Sequence, residues 1–421
     1  MVDAVKRAIF ERGPGIRSGL RDLHFNKDNI SSFFVSFVFS LTGAVVVLVS
    51  VATKANFTQE QAVSWIASAY IIAGLISTLM TLYYKIPLLA MPTLSGMLVM
   101  GPVLAQFSVP EIVMGLIIAG VVLVLLGFSG VIDTVSRYMP IPIVMGMIAG
   151  VYMSYGTGIV TSVKAIPLIG VCTVLAYLVT PLVSKKVPQT ASALVVGVVL
   201  TLILSPLEFK TGSFSNFLPT FVAPKYSSSV ILGLSLPLVL VTIADLLKCY
   251  GVIKANGYEV PVNSMIFFPA VGSILGACFL APTLSMTGAV TAILCDSSAG
   301  PKDFRYVGAV LKNLCSVAIG ISAGVLVPFL LKLPTNITSI LAGLAMMGLF
   351  LTSLNGAFGG KKFQIGAFTA FILALSNFTL WGVSSAVWSI VIGIIVSMFL
   401  ERGHFKNESQ VVIARAAVDT K

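Results

Sequence analysis

Apolar stretches of about membrane-spanning length follow one another almost from end to end of this 421-residue chain. A hydrocarbon layer ~30 Å thick is crossed by ~20 apolar residues in a helix that rises ~1.5 Å per residue. The expected fold is therefore all-α and polytopic, with nearly every residue in one membrane domain. Composition agrees: 57% of residues are hydrophobic, 10% are charged and mean hydropathy is +1.02. That is more apolar surface than a soluble core of this length needs.

Fourteen apolar segments can be read. They are Ile30–Val51, Ala62–Tyr83, Pro87–Phe107, Ile112–Ile132, Ile141–Val160, Ile166–Val183 and Ala191–Leu207, then Val230–Ile253, Val260–Phe279, Pro282–Cys295, Tyr306–Leu331, Ile337–Ser353, Phe363–Phe378 and Leu380–Phe399. Residues 1–29 form a polar, basic tail without an apolar leader core, read as cytoplasmic. Residues 30–207 form a first seven-segment repeat, 208–229 a Ser/Pro-rich linker, 230–400 a second repeat and 401–421 a cytoplasmic tail. Seven spans per repeat is an odd number, so the second repeat must be inverted. With the N-terminus inside, 19 Lys and Arg fall on the inner side and 5 on the outer (Lys54, Lys164, Lys210, Lys225 and Lys332), with Lys248 and Lys312 unassigned. This bias predicts both termini in the cytoplasm. It also accounts for the net charge of +11 without nucleic acid as a partner. The cysteines at 172, 249, 278, 295 and 315 lack metal-ligand spacing and read as packing residues.

The tetrapeptide Pro-Thr-Leu-Ser occurs at 92–95 and again at 282–285, 190 residues apart. Both copies precede apolar stretches too interrupted for ordinary spans: Gly96, Gly101 and Pro102 follow the first, and the tenth segment is short. Broken spans at matching places in two halves point to a transporter's substrate site. The freed backbone N–H groups of a helix start attract an anion and are costly in lipid without a partner. Pro92 and Pro282 are expected to begin two half-helices that face each other near the midplane. Thr93, Ser95, Thr283, Ser285 and Thr287 would add hydroxyls there, and Gly96 and Gly288 would allow close backbone approach. Such a site suits a small anion such as a carboxylate. The same hydroxyls can instead cap or bond within their own helices.

Asp245 lies in the middle of the eighth segment, in Leu-Val-Thr-Ile-Ala-Asp-Leu-Leu-Lys. An acid at that depth costs ~2.5–3.5 kcal/mol on insertion scales and is a functional candidate by default. Asp245 is the leading proton carrier, with the proton as coupling ion and no other cofactor expected. An ion pair with Lys248 three residues on is the structural alternative, and Lys248 could also snorkel to the cytoplasmic edge. The two histidines, His24 and His404, sit in the tails, which excludes a histidine relay in the membrane. Gly359-Gly360-Lys361-Lys362 lacks the hydroxyl residue of a nucleotide-binding loop, and no catalytic constellation appears, so the chain is not expected to be an enzyme. Trp65, Tyr83, Tyr84, Trp381 and Trp388 read as interface or packing residues.

Three stretches resemble the bacterial benzoate–proton symporter family, itself similar in fold to nucleobase–ascorbate (uracil) permeases and sulfate permeases. They are Leu236–Tyr258, Arg137–Gly150 and Ala289–Cys295 followed by Asp303, Arg305 and Tyr306. The resemblance implies a core domain (30–132 and 230–332) and a gate domain (133–207 and 333–400), and often a homodimer, in the bacterial inner membrane. It places substrate between segments three and ten beside segments one and eight. The implied binding residues are Thr93, Leu94, Ser95, Gly96, Thr283, Leu284, Ser285, Met286 and Thr287, with Thr42 and Thr242 from the neighbouring segments. Thr242-Ile243-Ala244-Asp245 looks like the eighth-segment motif of nucleobase permeases, which puts Asp245, with Lys248 beside it, at the substrate- or proton-binding position. This chain departs from the benzoate pattern where Asp245-Leu246-Leu247 replaces Ser-Gln-Asn and Pro282-Thr283-Leu284 replaces Pro-Phe-Gly. The expected function is proton-coupled symport of a small organic anion, such as the aromatic carboxylate benzoate, by an alternating-access movement of core against gate. A nucleobase or inorganic anion is the alternative substrate. A channel or non-transporting scaffold is the alternative class, and few polar residues are available to line a pore.

Overall fold

The computed structural model describes residues 11–104, 106–129, 140–184, 187–204, 219–376, 378–380 and 383–405. The charge expectations for Lys6, Arg7, Arg137, Lys185, Lys186, Lys210, Lys406, Arg415 and Lys421, and the reading of Trp381, lie outside these residues.

The first half contains α1 (Ile16–Arg21), α2 (Lys27–Phe39), a π-turn (Ser40–Ala44), α3 (Val45–Lys54), α4 (Gln59–Tyr84), β1 (Ala90–Pro92), α5 (Leu94–Leu104), α6 (Val109–Ser129), α7 (Ile141–Ala165), α8 (Pro167–Val183) and α9 (Gln189–Leu204). The second half contains a short helix (Ser228–Val230), a π-turn (Ile231–Ser235), α10 (Leu236–Ala255), α11 (Val262–Ala277), β2 (Leu284–Met286), α12 (Gly288–Cys295), α13 (Arg305–Ile321), α14 (Ala323–Lys332), α15 (Thr335–Phe358), α16 (Gln364–Leu375), β3 (Thr379–Leu380), β4 (Val383–Ser384) and α17 (Ser385–Leu400). Among the described residues, six helical stretches are long and apolar enough to cross a membrane, and shorter apolar helices of 10–17 residues accompany them.

Local chemistry sets the boundaries. Asn26 and Asn29 form a reciprocal capping box that starts α2, and Thr58 and Gln61 form one that starts α4. α4 stops at Lys85, which is left-handed (φ 53°). The Lys85 ammonium pairs with Asp22, just after α1, and holds that carboxyl below the usual carboxylate range. Glu11 accepts from the backbone N–H groups of Asn263 (2.9 Å) and Ser264 (3.3 Å) and so caps α11 from outside its own helix. Tyr306 donates to the carbonyls of Gly19 (2.8 Å) and Asp22 (2.9 Å). The segment around α1 is thereby tied across the ends of α4, α11 and α13.

Helices meet at small residues. A Cβ on Gly74 of α4 would lie 2.6 Å from the Asn313 carbonyl oxygen of α13, and one on Gly146 of α7 would lie 2.2 Å from that of Ala367 of α16. No side chain fits at either contact. α4 packs on α13, α6 on α11 and α10 on α12; separately, α7 packs on α15 and α16, α16 on α17, and α8 on α9. Leu182, Val183, Ile203 and Phe399 point outward, exposed by 66% or more, as suits a face against lipid.

The all-helical class holds with small additions: two antiparallel pairs, β1 with β2 and β3 with β4. Three details correct the sequence reading. The fourteenth segment opens with β3 and β4, and its helix starts only at Ser385. The eleventh is divided at Ser322 into α13 and α14. Neither Pro92 nor Pro282 begins a half-helix. Pro92 ends β1 and Pro282 precedes β2, while the helices start at Leu94 and Gly288.

The two tetrapeptides are consequently not equivalent in space. In the β1–β2 pair Met91 faces Ser285, and Pro92 faces Leu284. Helix begins two residues after Pro92 but six after Pro282, so the matching elements are 194 residues apart and not 190. The π-turns, 191 residues apart, are a second feature shared by the two halves.

Candidate functional site

The two extended strands meet inside the helix packing. Their outward polar groups are absorbed by serines from neighbouring helices. Ser77 of α4 donates to the Ala90 carbonyl at 2.9 Å, and Ser273 of α11 accepts the Leu284 N–H at 2.8 Å. Thr93 N–H reaches the Thr283 carbonyl and Thr287 N–H the Leu89 carbonyl, both at 3.0 Å. The crossing is thus closed on itself at both ends, and the starts of α5 and α12 lie just beyond it.

Asp245 of α10 points at this crossing and is saturated as an acceptor. One carboxylate oxygen accepts from the hydroxyls of Thr93 (2.9 Å) and Ser285 (3.4 Å). The other accepts from Ser95 (3.1 Å) and from the Lys248 ammonium (3.3 Å). Two of these hydroxyls are themselves aimed. Thr93 Oγ1 accepts the Gly96 N–H at 3.0 Å, and Ser95 Oγ accepts the Tyr152 hydroxyl at 2.8 Å. Each hydroxyl has one hydrogen. With an incoming donor occupying its oxygen, that hydrogen is free to serve the carboxylate. Four donors on two oxygens use the acceptor capacity of a carboxylate.

A cavity of about 270 Å³ opens beside Asp245. This is near the lower end, ~300 Å³, of ordinary ligand pockets. The described wall residues include Phe39, Ser40 and Ala44 from span one, Met91, Pro92, Leu94 and Ser95 from the first crossing, and Ser285, Thr287, Gly288 and Val290 from the second. Asp245, Lys248 and Val252 of α10, Ala292 of α12 and Thr352 of α15 complete it. Among the described residues, Lys248 is the one cationic side chain on this wall. Ser40 Oγ is buried without a hydrogen-bond partner.

Of the residues singled out in the sequence, Asp245, Lys248, Pro92, Leu94, Ser95, Ser285, Thr287 and Gly288 line the cavity together. Thr93 reaches Asp245 from behind the wall. Gly96 faces away: its Cβ would meet Thr93 Cγ2 at 2.5 Å and Leu238 Cδ2 at 3.0 Å, so it serves the packing of α5 on α10. Thr283, Leu284 and Met286 are buried in and around β2 outside the wall, and the Thr283 and Thr242 hydroxyls have no partner. Thr42 belongs to the π-turn, but its side chain lies outside the described residues. The ion-pair alternative for Asp245 and Lys248 is present at the same time as the hydroxyl contacts.

Sequence reading missed Tyr152, Ser40, Phe39 and Thr352. A tyrosine in the middle of a long apolar span carries a hydroxyl that needs a buried partner, which is a signal for Tyr152. The other three are placed by the π-turn and by the approach of α15, which leave no local sequence mark.

This arrangement sits in a known fold and family. The chain matches the transmembrane domain of a cyanobacterial bicarbonate transporter, BicA, over 93% of its length and all of that chain, at TM-score 0.62 and 12% identity. It matches SLC26A9 over 94% of its length and 68% of that chain, at TM-score 0.63 and 13% identity. In sequence it is 27% identical over 370 residues to the benzoate membrane transport protein of Acinetobacter baylyi, covering 87% of this chain and 93% of that one. It is 24% identical over 380 residues to the inner membrane protein YdcO of Escherichia coli, covering 88% and 96%. The BenE family, described as benzoate membrane transport protein, is matched over residues 24–399. With that match spanning most of its length, the chain belongs to the benzoate membrane transport protein family, a family of membrane transporters and not of enzymes.

Proposed function

We propose that this protein carries a small aromatic carboxylate, with benzoate as the leading case, across the bacterial inner membrane together with a proton. The observation that carries the reading is the pairing of Asp245 with Lys248 on one wall of a cavity beside the β1–β2 crossing. The carboxylate of the substrate meets Lys248, the unpartnered Ser40 hydroxyl and the N–H groups that open α12. The ring lies against Phe39, Ala44, Met91 and Val290. This apolar wall favours an aromatic anion over a fully hydrated inorganic one.

Access alternates in this reading as the core domain (30–132 and 230–332) moves against the gate domain (133–207 and 333–400). Both termini are cytoplasmic in this proposal. The homodimer implied by the family resemblance belongs to the same proposal, and the proton is the only coupling species required.

The test is Asp245→Asn in proteoliposomes loaded with a pH-sensitive dye. Benzoate-driven acidification should disappear while benzoate exchange across the membrane continues. Acidification at the normal proton-to-benzoate ratio would refute the role of Asp245.

A further inference from the structure

Tyr152 stands apart from the other polar groups around Asp245 because it belongs to α7, which packs on α15 and α16, while Asp245, Thr93, Ser95 and Ser285 sit on the crossing and α10. It is fully buried, and its hydroxyl ends on Ser95 Oγ at 2.8 Å. Ser95 in turn ends on Asp245 at 3.1 Å. The chain of hydrogen bonds therefore runs in one direction, from α7 through the start of α5 to the carboxylate.

That direction depends on charge. While Asp245 is ionised, each oxygen in the chain has a hydrogen to give or to receive. A proton passed from a hydronium in the cavity to the oxygen facing Ser95 breaks one hydronium O–H bond, leaves a neutral water, and turns that acceptor into a donor. Ser95 then has donors on both sides. Either its own hydrogen or that of Tyr152 is left without an acceptor in a buried site, which is unfavourable. Moving α7 away from the crossing relieves the conflict, because the side of Ser95 that faced Tyr152 opens to water, which can take the serine hydrogen while Ser95 accepts from the protonated acid. By reciprocity, withdrawal of α7 favours protonation of Asp245 as much as protonation favours withdrawal.

The titratable and charged groups around this chain are few. Lys248 lies on the same helix as Asp245 and Cys249 beside it. Tyr155, one turn along α7, faces Tyr152 and receives the Lys54 ammonium over its ring at 3.8 Å. The groups that reach Asp245 from Thr93, Ser95 and Ser285 are hydroxyls and do not titrate near neutrality, and from α13 the buried Lys312 amine ends on Met91 Sδ of β1 at 2.9 Å.

We propose that Tyr152 is the positioning residue that links the proton on Asp245 to the placement of the gate helix α7. The proposal rests on the reading of Asp245 as the proton carrier. Removing one hydroxyl should then uncouple transport without abolishing it.

The experiment compares Tyr152→Phe, Ser95→Ala, the double variant and Asp245→Asn in proteoliposomes. It reads benzoate exchange and the number of protons moved per benzoate. Tyr152→Phe should retain exchange and lose most of the proton-to-benzoate ratio, by about tenfold if the lost link is worth a single buried hydrogen bond. Ser95→Ala interrupts the same chain from its other end, so it should lower the ratio likewise, and the double variant should add little. It also keeps the test open if Tyr152→Phe fails to fold. A slower Tyr152→Phe carrier with the normal ratio would overturn the proposal, because a merely structural tyrosine alters rate and not coupling. An uncoupled Asp245→Asn beside a fully coupled Tyr152→Phe removes Tyr152 alone. A coupled Asp245→Asn removes the Asp245 reading itself.

Discussion

Replacing Lys248 by Met retains most of the aliphatic stem and removes the one positive charge among the described residues of the cavity wall. The ammonium lies 3.3 Å from Asp245, where two unit charges at an effective dielectric near 20 attract by about 5 kcal/mol. Desolvation of both groups offsets much of that. Their side chains are 25% and 14% exposed, so water screens what remains. The net value falls between the ~0.2–1 kcal/mol of exposed pairs and the ~3–5 kcal/mol lost on breaking buried ones, or about 2 kcal/mol. A bound carboxylate draws on the same charge. Lys248→Met should therefore weaken benzoate binding by roughly 10–30-fold, at ~1.4 kcal/mol per factor of ten. Isothermal titration of the purified protein reads this directly. Benzamide, which has nearly the same shape and no charge, supplies the control: the variant should lose preference for benzoate over benzamide, and Lys248→Arg should recover part of it. An unchanged benzoate-to-benzamide ratio in Lys248→Met would show that the anion is held elsewhere.

Two further predictions concern packing and pH. Gly96→Ala should destabilise the protein by about 1–3 kcal/mol, because its Cβ would strike Thr93 and Leu238; Gly288→Ala, where the nearest atom is 3.5 Å away, should be tolerated, and thermal unfolding in detergent separates the two. The Asp22 carboxyl is held below its usual range by its hydrogen bond to Lys85, so this tie is intact at neutral pH and is lost as pH falls through the lowered value. Asp22→Asn should therefore lower Tm slightly at pH 7, and the difference should shrink as pH falls below the usual carboxylate range and vanish below the lowered value.

Much of the fold is legible in the sequence because lipid imposes it. Helix α4 lies within three residues of the apolar stretch read at Ala62–Tyr83, and the acid at 245 stands out because nothing else in that span is charged before Lys248. The broken spans were visible from their prolines and glycines, yet their internal register was not. Pro92 and Pro282 sit in identical tetrapeptides but four residues out of step, since β1 ends where its tetrapeptide begins while β2 lies within and beyond its own. Proline restricts the chain toward extended backbone and forbids a donor, which is as compatible with a strand edge as with a helix start. The partnership of Tyr152 with Ser95, 57 residues away, depends on how α7 meets α5 and leaves no mark in either segment. Thr352 and Ser40 likewise reach the cavity through tertiary packing alone.

The most direct test of the binding site is the position of a heavy-atom substrate. A structure solved with 4-bromobenzoate should place the carboxylate within hydrogen-bond distance of Lys248 Nζ and the start of α12, with bromine against Phe39 and Val290. Bromine density outside the cavity beside Asp245, or a cavity left empty at saturating ligand, would contradict the account.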